Sequence, residues 1–488
     1  MPDVIVQQPL LIGGEWVAAV EGRTYEKADP YTGDPVTEAA AASVDDANRA
    51  AEAAGAAFAG WAATPAAERA RLLEAAADLL AERSEEIVAT MTAECGATFG
   101  WGMFNCSLAS GMLRHAAGLA GEVDREADIE SAVPGLEAKA VRQPVGVVVG
   151  IAPWNAPVIL ATRAVATPLA FGNTVVLKAS EECPRTHAAV AKAIDDAGVP
   201  TGVINLITNR PDDAADVVEA LIAHPAVKRI NFTGSTKVGT IVATKAAQHL
   251  KRTLLELGGK APLVVLADAD LDEAAAAANF GAFMNSGQIC MSTERIVVDR
   301  AIAPDLEAKL IDKAQGLTVG DPRDPTTMIG PVVNAAAAQR VGELLDDAKA
   351  KGARVLTGGQ AEGLVLTPTI VADVTPDMRI YAEESFGPIV TVIAAQDQDD
   401  AVRVANDTEY GLSAAVFGQD IANAQAVARR IQSGICHING ATVHDEPQMP
   451  FGGVKHSGWG RFGGDAALDE FTELRWMTVQ EGGRHYPI

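Results

Sequence analysis

Among the five cysteines of the chain, Cys290 stands apart by its surroundings. It lies in Asn285-Ser286-Gly287-Gln288-Ile289-Cys290-Met291-Ser292, a polar, glycine-containing loop after an alanine-rich helical stretch. A thiolate nucleophile needs backbone freedom and nearby donors, and a Gly-Gln-x-Cys loop offers both. Cys95, Cys106 and Cys183 sit in or beside helical stretches and Cys436 in a strand pattern, where a thiol reads as a small buried hydrophobe. Glu256 is the second candidate. In Thr253-Leu254-Leu255-Glu256-Leu257-Gly258-Gly259-Lys260 it ends an apolar strand before a double glycine. A carboxylate among leucines is either paired, here with Lys260 or Arg252, or raised in pKa, which suits a general base.

Phosphate binding has no Gly-x-Gly-x-x-Gly or P-loop signature to rest on. Phe232-Thr233-Gly234-Ser235-Thr236-Lys237-Val238-Gly239 instead follows a strand and opens a helix, offering backbone N–H groups and a positive dipole end. The strand ending in Lys178 runs into Ala179-Ser180-Glu181, where a lysine and a glutamate could hold two ribose hydroxyls or simply form a solvated charge pair. The eight histidines show no His-Glu-x-x-His and no tight cluster, so no metal site is expected. His437 and His444 read as structural or pocket-lining.

These residues need elements to hold them. The first 60 residues read as short strands and turns, followed by a helical region with apolar spacing from Ala66 to Leu80. From residue 141, short β-branched runs alternate with helices: Val145–Ile151, a helix after Pro153-Trp154-Asn155, Thr174–Leu177, a helix after Pro184, Val203–Ile207, a helix from Pro211, Val227–Phe232, and a helix from Ser235. The alternation resumes after Gly258-Gly259, with strands at Leu263–Leu266, Ile296–Val298, Arg354–Leu356, Ile389–Ile393, Ala414–Phe417 and Ile435–Ile438. The fold class is therefore α/β, with two doubly wound parallel-sheet units whose ligands collect at the carboxyl ends of the strands. The last 20 residues, with Leu474, Trp476 and Thr478 alternating, read as an edge strand that must pair, and pairing between subunits is one way to do so.

Composition bounds the function. Apolar residues make up 48% and charged residues 21%, ordinary globular usage. A net charge of -25 repels phosphate backbones and anionic headgroups, so neither nucleic acid nor a membrane surface is expected as a partner. Five scattered cysteines without Cys-x-x-Cys fit a reducing compartment, and the N-terminus lacks the basic start and apolar core of a signal peptide. Residues 143–162 carry no charge, but Pro153, Asn155 and Pro157 interrupt them, so buried strand, loop and helix is expected rather than a membrane span. A cytoplasmic protein is the expectation.

Taken together, Pro153-Trp154-Asn155, Lys178 with Glu181, Phe232-Thr233-Gly234-Ser235-Thr236, Glu256-Leu257-Gly258-Gly259-Lys260, Gly287-Gln288-Ile289-Cys290, Glu384-Ser385-Phe386-Gly387-Pro388 and Pro450-Phe451-Gly452-Gly453 resemble the aldehyde dehydrogenase superfamily, in its order and over nearly the whole chain. The resemblance implies metal-free, NAD(P)-dependent oxidation of an aldehyde to a carboxylate through a cysteine thiohemiacetal and thioester. By that resemblance Cys290 is the nucleophile, Asn155 and the Cys290 N–H form the oxyanion hole, and Glu256 activates the deacylating water. Ile151, Trp154, Lys178, Ser180, Glu181, Gly234, Ser235, Glu384 and Phe386 fall at cofactor positions. NAD is expected, with NADP weaker because a 2'-phosphate would face Glu181. The implied units are a cofactor-binding domain (1–122 and 143–254), a catalytic domain (255–467) and a small β oligomerisation arm (123–142 and 468–488) in a homodimer or homotetramer. One departure is Thr208-Asn209-Arg210-Pro211, where many relatives have a Pro-Gly-x-Gly-type turn.

The segments Lys178–His187 and Ile289–Arg295, with the ending His485-Tyr486-Pro487-Ile488, resemble dehydrogenases of the salicylaldehyde, vanillin and benzaldehyde type. Helical spacing from Asn155 places Arg163 two turns along, at the substrate entrance, where family members for aliphatic aldehydes often carry a large apolar residue. Its guanidinium could stack on an aromatic ring and donate to a ring hydroxyl, or form a structural salt bridge. Trp101 reads either as a pocket wall or as ordinary helix packing, with Ile289, Met291 and Phe451 as the apolar floor. The alternatives are another aldehyde class, aliphatic or semialdehyde; a CoA-acylating enzyme, against which Glu256 speaks; a non-enzymatic scaffold; and an esterase.

Overall fold

A computed structural model describes residues 5–483 and Tyr486; of the terminal tetrapeptide noted above, His485, Pro487 and Ile488 lie outside the described residues. The alternating segments build two large sheets. The first has eight strands in the order Gly458–Trp459, Arg252–Glu256, Val227–Thr233, Val147–Ile151, Thr174–Lys178, Ile204–Ile207, Leu10–Ile12 and Glu15–Val17. Its five central strands are parallel and its flanking strands antiparallel. Val147–Ile151 and Thr174–Lys178 are buried at every residue, because helices cover both faces. One face packs on Pro157–Ala170 and Pro184–Asp196, the other on Val44–Ala62, Ala214–Ala223 and Thr236–Gln248, giving two separate apolar cores. Strand order reverses between Val147–Ile151 and Val227–Thr233, which opens a crevice at their carboxyl ends.

The second sheet has seven strands: Arg354–Thr357, Thr369–Ala372, Ile389–Ala395, Thr293–Asp299, Ala261–Val265, Ser413–Phe417 and Ile435–Ile438, all parallel except the first. The charge-free stretch 143–162 resolves into strand, turn and the start of the helix Pro157–Ala170. Among the described residues no helix is long and apolar enough to cross a membrane.

Several expectations need correction. Residues 44–62 are helical, not strand and turn: Ser43 and Asp46 form a reciprocal capping box, and the buried stripe of Ala47, Ala50, Ala51 and Ala54 has helical spacing. Alanine gave that stripe too little contrast to stand out. The terminal strand Thr472–Gln480, by contrast, is an edge strand as its alternation predicts: one side pairs antiparallel with Leu136–Pro144 of its own chain, which also takes Glu126–Ile129 on its other side. Its second edge stays open, with Leu474 63% and Trp476 73% exposed. Cys436 is exposed rather than buried, because Ile435–Ile438 is the outermost strand of its sheet.

Candidate active site

The nucleophile loop is shaped by three consecutive left-handed residues, Asn285 (φ 51°), Ser286 (φ 56°) and Gly287 (φ 71°). A Cβ at Gly287 would lie 2.0 Å from the Gly387 carbonyl oxygen, so glycine is required there both by conformation and by space. Gly259 approaches the same loop: its Cβ would fall 2.4 Å from the Cys290 carbonyl oxygen. The double glycine thus lets the end of the strand Arg252–Glu256 close on the thiol-bearing turn. Cys290 is half-buried, while Cys95, Cys106 and Cys183 are buried.

Asn155 lies in the turn before the helix Pro157–Ala170, not on it, so its orientation cannot follow helical spacing. Instead its carbonyl accepts from Trp101 Nε1 (3.0 Å) and Asn285 Nδ2 (2.9 Å), and its own Nδ2 donates to the Gln288 carbonyl at 2.9 Å. Trp101 is only 3% exposed. Its polar edge is spent on the Asn155 backbone, so its link to the site runs through Asn155.

Glu256 is 2% exposed, and neither carboxylate oxygen has a hydrogen-bond partner among the described residues. Neither expected ion pair forms, since Lys260 Nζ meets Glu294 at 2.6 Å. Burial raises the Glu256 pKa well above its ordinary value, with Arg163 and Arg461 offsetting part of the effect. Burial likewise pushes the Cys290 thiol up to about 12, the Glu256 carboxylate adds to the shift, and Arg163 opposes it. A half-buried thiol and a partnerless buried carboxyl, each felt by the other, form a pair able to hand protons between substrate and water.

Arg163 is 7% exposed and ion-paired to the buried carboxylate of Asp445. Its guanidinium carbon sits 4.1 Å from the centre of the Phe451 ring. The expected cation–aromatic stack therefore exists within the protein, and the face foreseen for a substrate ring is already covered by Phe451. Arg163 still lines a narrow cleft with Phe451, Phe462, Met449, Met112 and Thr167. Ile289 and Met291 are buried on either side of the thiol.

The crevice of the first sheet gathers the residues expected to hold a dinucleotide. Lys178, 5% exposed, ends its strand with Nζ 3.4 Å from Glu181 Oε2, so the pair is not a solvated one. Ser180 N–H donates to His187 Nδ1 (3.2 Å), and burial drives the His187 pKa down to about 3, leaving a neutral ring that fixes the turn. Gly234 and Ser235 open the 13-residue helix Thr236–Gln248, with Ser235 Oγ capping Val238 N–H at 3.4 Å. Ile151 ends the neighbouring strand. Trp154 meets Phe386 edge to face, 5.8 Å between ring centres. Glu384 Oε1 accepts from Gly259 N–H at 2.7 Å, and burial raises this carboxyl to about 7. A cationic strand end, a carboxylate in reach and an exposed helix start fit a nucleotide with ribose hydroxyls and phosphates.

His187, Asp445 and Glu294 went unforeseen as site residues. His187 had a weak signal in its place one turn into the helix after the Lys178 turn; the other two act on partners remote in sequence.

Comparison with known proteins agrees with this geometry. The aldehyde dehydrogenase family model matches residues 16–477. The chain is 56% identical to vanillin dehydrogenase of Pseudomonas fluorescens over 481 residues, 98% of this chain and 99% of the relative. It is 46% identical to salicylaldehyde dehydrogenase of Pseudomonas sp. strain C18 over 480 residues, 98% of this chain and 99% of that one. The crystal structure of a salicylaldehyde dehydrogenase from Pseudomonas putida G7 complexed with salicylaldehyde superposes with a TM-score of 0.97 at 45% identity, covering 99% of this chain and all of the other. With a thiol, a partnerless carboxyl and a clamped asparagine gathered beside a nucleotide crevice, and with a family match spanning both sheets, the chain belongs to the aldehyde dehydrogenase family.

Proposed function

We propose that this aldehyde dehydrogenase oxidises an aromatic aldehyde of the vanillin, salicylaldehyde or benzaldehyde class to its carboxylate, with NAD as the preferred cofactor. The observation that carries the reading is the buried, partnerless Glu256 carboxylate, electrostatically coupled to the Cys290 thiol, in a chain 56% identical to a vanillin dehydrogenase. Cys290 Sγ adds to the carbonyl carbon, and its proton leaves toward Glu256 or solvent. The developing oxyanion is met by the free N–H of the Asn155 amide and by the Cys290 backbone N–H. The bound dinucleotide supplies a hydride acceptor. Glu256 then takes a proton from water, which attacks the thioester carbon, releases the carboxylate and returns the thiol.

Lys178, Ser180, Glu181, Gly234 and Ser235 would hold the adenosine half of the dinucleotide, and Ile151, Trp154, Glu384 and Phe386 its nicotinamide half. Arg163, Trp101, Ile289, Met291 and Phe451 would shape the substrate side, Arg163 through its stack on Phe451 and Trp101 through Asn155. Cofactor, catalytic and arm units with the boundaries given above, a homodimer or homotetramer, and a cytoplasmic location complete the reading. The test is NADH release over aliphatic aldehydes, benzaldehyde and hydroxylated benzaldehydes. The reading requires hydroxylated benzaldehydes to lead, and equal turnover of acetaldehyde removes the aromatic assignment.

A further inference from the structure

We propose that Glu294 is a positioning residue that sets the Glu384–Phe386 turn in the geometry needed to receive the dinucleotide. Glu294 stands on the strand Thr293–Asp299, directly after the nucleophile loop, and is 4% exposed. Its Oε1 accepts from the backbone N–H groups of Ser385 (2.9 Å) and Phe386 (3.2 Å), while its Oε2 accepts from Ser385 Oγ and from Lys260 Nζ at 2.6 Å. The Glu294 carbonyl also accepts from Thr391 Oγ1 at 3.0 Å.

These contacts close a ring around the site. Lys260 follows Gly259, whose N–H holds the Glu384 carboxylate, and Glu294 binds the two residues after Glu384. Phe386, with φ 51°, is held in a left-handed conformation disfavoured for a bulky residue, and the two adjacent N–H bonds to one carboxylate oxygen fix it there. A buried Lys–Glu pair is weak evidence of stability, since apolar replacement of both partners is often neutral or better. Here every donor to the carboxylate comes from the strand end beside Glu256 or from the turn bearing Glu384 and Phe386, which points to placement instead. The inference rests on reading Glu384 and Phe386 as cofactor residues.

Calorimetric titration of NAD alone into the full-length enzyme tests it, together with KM for NAD and for the aldehyde. The variants are Ser385→Ala, Glu294→Gln, the pair Lys260→Met with Glu294→Gln, and Glu384→Ala as reference. Should Glu294→Gln fail to fold because Lys260 is left without its counterion, Ser385→Ala and the paired variant decide. The expected result is a Kd for NAD raised about fivefold or more in each, as for loss of an orienting hydrogen bond, with KM for the aldehyde within about twofold of wild type. If Glu384→Ala weakens NAD but the folded Glu294 and Ser385 variants bind within about twofold of wild type, the positioning role is overturned while the cofactor reading stands. If Glu384→Ala binds NAD as wild type does, the cofactor reading of Glu384 falls and takes the positioning role with it.

Discussion

Cys290→Ala removes the one thiol set between the Gly259 junction and the Asn155 clamp. Oxidation should fall below about 1% of wild type while NAD still binds, because no other cysteine can form the adduct; steady-state NADH release and NAD titration check both halves. Glu256 makes a second prediction through pH. Its carboxyl is raised well above 4.5 by burial, so the folded protein holds a proton that the unfolded chain gives up near 4.5. The stability tied to this group is complete below that pH and is lost as pH rises toward the folded pKa. Glu256→Gln should therefore melt higher than wild type at mildly alkaline pH, and the gap should close as pH approaches 4.5 in a thermal-melt series. A gap independent of pH would mean that the carboxyl is not desolvated. At this scale the sequence was legible for Cys290 and Glu256, whose loop and strand-end settings are local. It was not legible for Arg163, because the partner that claims its charge, Asp445, lies 282 residues away.

Turns and the ends of strands carry most of the site. Gly287→Ala would drive a Cβ into the Gly387 carbonyl and force an unfavourable left-handed residue, so we expect a loss of about 2–4 kcal/mol and of activity, measurable by denaturant unfolding. Near-wild-type stability would show that the loop can move. At the strand end Thr174–Lys178, the half-buried Glu181 beside Lys178 should accept ribose hydroxyls and repel a 2'-phosphate. NAD should exceed NADP in kcat/KM by about tenfold, the lysine limiting the discrimination; equal efficiencies would contradict this role for Glu181. The parallel strands were readable because burial on both faces leaves uninterrupted apolar runs such as Val147–Ile151. The helix Val44–Ala62 was not, because its buried stripe is built from alanine rather than from large side chains. The helix Pro157–Ala170 was placed correctly but begins after Asn155, so the register carried from Asn155 to Arg163 had no basis.

Across the whole molecule, the first sheet meets the nucleophile loop where Gly259, just past the strand Arg252–Glu256, closes on Cys290, and within the second sheet's unit Gly287 closes on Gly387, contacts that no local pattern reveals. The arm strand Thr472–Gln480 shows the same limit: its alternation announced an edge strand, but its partner Leu136–Pro144 lies more than 300 residues earlier and only three-dimensional closure identifies it. The cleft beside Arg163, whose charge is ion-paired to Asp445, is lined by the aromatic rings of Phe451 and Phe462 together with Met112 and Met449. Hydroxylated benzaldehydes should therefore exceed short aliphatic aldehydes in kcat/KM by about tenfold, roughly 1.4 kcal/mol of transition-state binding. The most direct test of the central claim combines substrate and chemistry in one sample. Glu256→Gln mixed with NAD and salicylaldehyde should release a stoichiometric burst of NADH, then turn over slowly, and peptide mass spectrometry should find the aromatic acyl group on Cys290. Full turnover without an adduct, or an acyl group on any other residue, would contradict it.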